Sequence, residues 1–188
     1  MKPAVATAPR LLILPGWQGS GPTHWQSAWE RLHGAQRAEQ ADWLHPEPAA
    51  WIDGLDAALA FDATPTLLIA HSLGCALVAH WAARRGALLD RVIGAFLVAP
   101  PDVDRPSAPE VLQAFAPMPL ELLPFPAFVV ASTNDPYCGF MRAGMIATHW
   151  GAEFASVGNL GHINADTAPG DWPEGWAMFQ AWAAALAD

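Results

Sequence analysis

Apolar residues fall in short, nearly continuous runs along this chain, at 11–14, 66–70, 92–99, 128–132 and, more weakly, 153–157, separated by stretches of helical period. Successive rather than alternate positions are apolar, which suits strands of a parallel sheet covered on both faces. A weaker sixth run spans 37–43. Helices are predicted over 25–32 with Thr23 as N-cap, and over 50–61, where Trp51, Leu55 and Leu59 form one stripe. Another is predicted over 73–85, where Arg84 and Arg85 close the last turn and Gly86 stops it. The remaining helices are predicted over 140–150 and 174–186. Strand and helix alternate throughout. The expected fold is therefore α/β: one three-layer α/β/α sandwich around a mostly parallel sheet, a single domain over 1–188 with a loose tail at 1–10. Eight prolines from Pro100 to Pro126 forbid a long helix there, save for a piece near 110–115, and mark a long connection within the domain.

Composition narrows the partners. With 53% hydrophobic and 14% charged residues the chain can bury a sizeable core and is not disordered. Nine Lys+Arg against 18 Asp+Glu give a formal charge of −9, and the single lysine, Lys2, leaves no basic stripe. Neither nucleic acid nor a membrane surface is an expected partner. No apolar run approaches the roughly 18 residues of a spanning helix, and the first ten residues lack the apolar block of a signal peptide. Two cysteines, Cys75 and Cys138, are too few for a disulfide scaffold, so a cytoplasmic protein with free thiols is expected. An exposed apolar face would support a homodimer, though the sequence does not say which residues lie outside.

The most informative stretch is Ala70-His71-Ser72-Leu73-Gly74, at the junction of a buried strand and a helix. It reads as a nucleophile elbow, in which small residues two positions before and after the serine allow a sharp turn that lifts its hydroxyl above the sheet. Alanine stands in place of the first glycine. A serine hydroxyl needs an imidazole within reach, oriented by a carboxylate, and in this topology both come later in the chain, on loops after strands. His162, in Gly161-His162-Ile163-Asn164, is the favoured base, with His149 read as a helix-end residue. Asp135, in Asn134-Asp135-Pro136, is the favoured acid; Asp102 stays open as an alternative one strand earlier, Asp104 shares its loop, and Asp166 is close to His162 in sequence. An oxyanion needs two backbone N–H groups, assigned to Leu73 and to Trp17 in the loop Pro15-Gly16-Trp17-Gln18-Gly19-Ser20-Gly21. That loop has neither the Lys-Ser/Thr nor the glycine spacing of a nucleotide site. Gly16, His24, Trp25 and Cys138 are candidate substrate contacts, although for His24 a bond to loop backbone is the favoured role. Cys75 reads as a small buried residue. The seven histidines are scattered without metal-binding spacing, so neither a metal nor another cofactor is expected.

Five segments together resemble the small serine hydrolases of the retinoblastoma-binding-protein-nine and YdeN type, a compact branch of the α/β-hydrolase superfamily. They are residues 14–21 with His24-Trp25, His71-Ser72-Leu73-Gly74, Asn134-Asp135-Pro136-Tyr137-Cys138, Gly161-His162-Ile163-Asn164 and Trp172-Pro173-Glu174-Gly175. The resemblance covers nearly the whole chain. It implies a Ser72, Asp135 and His162 triad on a minimal fold with little or no cap. It leaves the substrate open among ester, amide and thioester, and leaves open a non-catalytic interaction protein that retains the fold. A small-molecule carboxylic ester is the first expectation.

Overall fold

The computed structural model describes residues 8–168 and 170–186. Six strands, β1 (Arg10–Leu14), β2 (Gln36–Arg37), β3 (Thr66–His71), β4 (Val92–Val98), β5 (Ala127–Ala131) and β6 (Glu153–Ser156), form one sheet in the order β2-β1-β3-β4-β5-β6. Every pairing is parallel. Period-two alternation divides the side chains between two cores. Leu12, Leu14, Leu68, Ala70, Ala95 and Leu97 face one side, while Ile13, Leu67, Ile69, Phe96 and Val98 face the other. On the first side pack α2 (Pro48–Ala60), α3 (Leu73–Ala83) and α5 (Phe140–Trp150); on the second, α1 (Trp25–His33) and α6 (Pro173–Ala185). A single turn of helix, α4 (Glu110–Gln113), interrupts the proline-rich connection. Among the described residues no helix is long and apolar enough to cross a membrane.

Several boundaries differ from the sequence reading, each for a local reason. The run at 37–43 contributes only β2, because Arg37 turns aside to pair with Glu30 at 2.6 Å and Asp42 starts a turn by accepting from the Leu44 and His45 N–H groups. His24, not Thr23, caps α1: its Nδ1 accepts from Gln26 N–H at 3.1 Å. Helix α2 begins earlier than expected, with Pro48 in its first turn and the Glu47 carboxylate accepting from Ala50 N–H. Helix α3 ends at Ala83, and Arg85 rather than Gly86 takes the left-handed conformation, φ 52°. Of the expected loose tail, residues 1–7 lie outside the described residues, while Arg10 opens β1 and donates to Thr66 Oγ1.

The chain order reverses between β1 and β3: β2 lies outside β1, and all later strands lie beyond β3. Loops leaving the carboxyl ends of β1 and β3 therefore diverge and open a crevice at that switch point.

Candidate active site

Ser72 is the residue between β3 and α3, with φ 53° and ψ −123°. A non-glycine residue held there stores roughly 1–3 kcal/mol of strain and needs surroundings that fix it. Its N–H donates to Val98 O at 2.9 Å, and its carbonyl accepts from Cys75 N–H at 2.8 Å. Gly74 is required by close approach: a Cβ there would lie 2.3 Å from the Leu14 carbonyl oxygen. Ala70, fully buried, is small enough for its side of the turn.

Ser72 Oγ lies 2.8 Å from His162 Nε2, and His162 Nδ1 lies 2.9 and 3.0 Å from the two oxygens of Asp135. A carboxylate only accepts, so Nδ1 carries the proton and bare Nε2 accepts from the serine hydroxyl. Asp135 also accepts from Tyr137 N–H at 2.8 Å, and only 3% of its side chain is exposed. The two loops are sewn together by their neighbours: Asn134 Oδ1 accepts from Gly161 N–H at 2.8 Å, Ser132 Oγ from Leu160 N–H at 2.9 Å, and Thr133 N–H donates to Gly158 O. The other carboxylates are engaged elsewhere or stand apart. Asp102 and Asp104 both pair with Arg142, and Asp166 lies on the rim of the crevice.

Beside Ser72, the Gly16 backbone comes so close that a Cβ would lie 2.9 Å from Ser72 Cβ and 3.1 Å from Leu73 N. This brings the Trp17 segment next to the first N–H of α3, which has no helical acceptor. Backbone bonds in the loop run from Gln18 N–H to Trp43 O and from Gly19 N–H to Gly16 O, leaving Trp17 N–H without a partner among the described residues. The two N–H groups expected to serve an oxyanion are thus on adjoining segments.

A cavity of about 480 Å³ opens over Ser72 and His162, walled by Trp17, Leu112 and Tyr137 and by polar Gln18, Asn164 and Asp166. His24 lines it as well, with its Nε2 unpartnered. Burial first, then neighbouring His162 and Arg37, push His24 down to about 3, so its ring is neutral. Two expected substrate contacts lie elsewhere. Trp25 is fully buried beneath the site and donates to Ile163 O at 2.8 Å, because its indole fills the core between α1 and the His162 loop. Cys138 is buried behind the Asp135 loop; burial, then Asp102 and Asp135, push its thiol up to about 12. Cys75 is likewise buried and its thiol pushed well up. Sequence reasoning did not single out Leu112 or Tyr137 as walls; Tyr137 stood inside the Asn134–Cys138 motif, whereas nothing local marked Leu112. A larger cavity, about 800 Å³, lies at the amino ends of the strands between Arg10, Thr64, Trp176 and Leu186. Among its described lining residues there is no serine or cysteine, so the smaller crevice is the stronger candidate site.

A family model described as serine hydrolase matches residues 11–181. No curated protein matches the sequence. Among solved structures, a putative YdeN-like hydrolase from Pectobacterium atrosepticum is 30% identical, over 94% of this chain and 91% of that one, with a TM-score of 0.84. The YdeN product of Bacillus subtilis is 21% identical over 94% of this chain and all of its own, TM-score 0.73. The Est1E protein of Butyrivibrio proteoclasticus, solved with ferulic acid, shares the fold at 12% identity over 100% of this chain and 93% of that one, TM-score 0.72.

Proposed function

Because the chain belongs to the serine hydrolase family, of α/β-hydrolase type, we propose that it cleaves a carboxylic ester through an acyl-enzyme on Ser72. The observation carrying this reading is the unbroken hydrogen-bonded line from Ser72 Oγ through His162 to Asp135. His162 Nε2 takes the hydroxyl proton as Oγ attacks the acyl carbon, and returns it to the departing alkoxide. Asp135 keeps the imidazole in the correct tautomer and stabilises its charged form. The tetrahedral oxyanion is met by the N–H groups of Leu73 and Trp17. Water, deprotonated by the same imidazole, then attacks the acyl-enzyme, Ser72 leaves with the proton, and the acid is released.

Short to medium acyl groups fit the cavity of about 480 Å³. Amides and thioesters are the rival substrates, separated by comparing their turnover with that of matched esters. The test is labelling by a fluorophosphonate, with Ser72→Ala, His162→Ala and heat-denatured controls, followed by aryl esters of increasing chain length. Labelling lost in both variants is expected. Folded wild-type protein that stays unlabelled would overturn the reading in favour of a binding protein that retains the fold.

A further inference from the structure

Two ring N–H groups hold the backbone of the His162 loop from beneath. Trp25 Nε1 donates to Ile163 O at 2.8 Å, and His71 Nε2 donates to His162 O at 2.9 Å. That backbone needs holding. Gly161 has φ 53° and Ile163 φ 50°, so His162 stands between two residues in the left-handed region, one of them β-branched. A β-branched residue there persists only where its surroundings over-determine it. Pinning consecutive carbonyls does so, and it fixes the Cα from which the His162 ring projects.

We propose that His71 is a positioning residue for hydrolysis: its Nε2–H, bonded to the His162 carbonyl, fixes the imidazole that serves Ser72. This rests on the reading of Ser72 as nucleophile. His71 is the residue immediately before Ser72, so one turn carries both the nucleophile and the anchor of its base, which lies 91 residues further on. Movement of the elbow and movement of the base loop are thereby tied. The His71 ring is almost wholly buried, with His24 at 4.7 Å on one side and His162 at 4.9 Å on another. Burial, then the neighbouring histidines, hold it well below the usual imidazole range, so it donates as a neutral ring. A neutral donor matters here. A second cation at that distance would oppose the charge that His162 acquires as Ser72 attacks. Trp25 holds the next carbonyl but belongs to α1, so it cannot couple base to nucleophile through one segment.

The experiment compares His71→Phe and His71→Leu, which remove the donor with different shapes, against His71→Gln, whose carboxamide N–H reaches a similar point. Fluorophosphonate labelling rate, kcat and KM for an aryl acetate, melting temperature, and the downfield proton resonance of His162 Nδ1–H are measured on each. Misplacing a base by about 1 Å costs on the order of 100-fold. Donorless variants that stay folded are expected to lose roughly 10- to 100-fold in kcat and labelling rate, with KM little changed and the resonance broadened or lost. His71→Gln is expected to recover most of the rate and the resonance. Wild-type rates in either donorless variant, a glutamine variant as slow as phenylalanine, or failure of both donorless chains to fold would overturn the proposal, the last by showing a purely structural clasp. If wild-type protein is not labelled at all, the hydrolase reading fails on its own, and the resonance still reports whether His71 holds the ring.

Discussion

Gly16 and Gly74 are the positions where a single methyl group would press on the Ser72 turn, and they should fail differently. At Gly74 the added Cβ meets the Leu14 carbonyl oxygen at 2.3 Å, a backbone atom that cannot turn aside, so β1 and α3 must separate. Gly74→Ala is expected to cost about 3 kcal/mol in a denaturant titration, the upper range for overpacking. At Gly16 the contacts are 2.9–3.1 Å, which a loop can relieve by yielding a few tenths of an ångström. Gly16→Ala should therefore cost only about 1 kcal/mol. Because the yielding segment carries Trp17 N–H, the labelling rate should fall about tenfold or more. Equal losses of stability in the two variants would contradict this division. The buried imidazoles make a separate prediction. His24 titrates near 3 when folded and near 6.5 when unfolded, so below 6.5 the unfolded chain binds the proton that the folded chain refuses. Its contribution to stability is present above pH 6.5 and is lost as pH falls toward 3. Between pH 7.5 and 5 this amounts to about 2 kcal/mol, with His71 shifting in the same direction. A melting temperature that stays level over that interval would show that neither ring is held neutral by the fold. The elbow was legible because its signal is local: strand, small residue, serine, small residue, helix. The His24 cap was not, since histidine seldom fills that role and the competing Thr23 looked better on chemistry alone.

At the level of elements, legibility followed burial. Strands β1, β3, β4 and β5 are covered on both faces and wrote continuous apolar runs, whereas β2 is two residues long and β6 is a largely exposed edge strand. Short or exposed strands carry little hydrophobic pattern, so the outer pairings depend on neighbours the sequence does not display. The connection between β4 and β5 is the clearest case. Its prolines announced irregular backbone, but the bonds that tie it to the rest of the fold are non-local. Arg142 on α5 donates to Asp102 at 3.1 Å and pairs with Asp104, His80 on α3 lies 2.7 Å from Phe115 O, and Trp150 Nε1 donates to Pro119 O at 2.8 Å. Held in this way, the connection delivers Leu112 to the wall of the crevice. Arg142→Ala should therefore act beyond its own position. Removing one cation leaves two partly buried carboxylates side by side, a loss of roughly 1–3 kcal/mol. Limited proteolysis should then cut within 103–125 several times faster than in wild type. A wild-type connection cleaved as readily as the variant would indicate a swinging lid instead of a pinned wall.

Over the whole molecule, charge imposes a preference that no single contact carries. The formal charge is −9, and among the described residues no arginine lines the crevice, while Asp166 stands on its rim. Arg105 and Arg142 are already engaged, by Pro136 O and by Asp102 and Asp104. Of the histidines that reach the cavity, His24 and His71 do not compensate, since burial keeps them neutral, and His162 is bonded to Asp135. An approaching anion therefore meets repulsion at long range and finds no counter-charge at the end of its path. Matched aryl esters test this, one with a neutral acyl chain and one of equal length ending in a carboxylate. The neutral ester should show a kcat/KM higher by about tenfold at low ionic strength, a gap that narrows toward 0.5 M salt as the screening length drops below about 10 Å. Asp166→Asn should remove part of the gap and leave the remainder, because the remainder belongs to the molecule as a whole. An anionic ester preferred at low salt would require an arginine to turn into the crevice, and Arg105, bonded to Pro136 O, would be the first side chain to substitute.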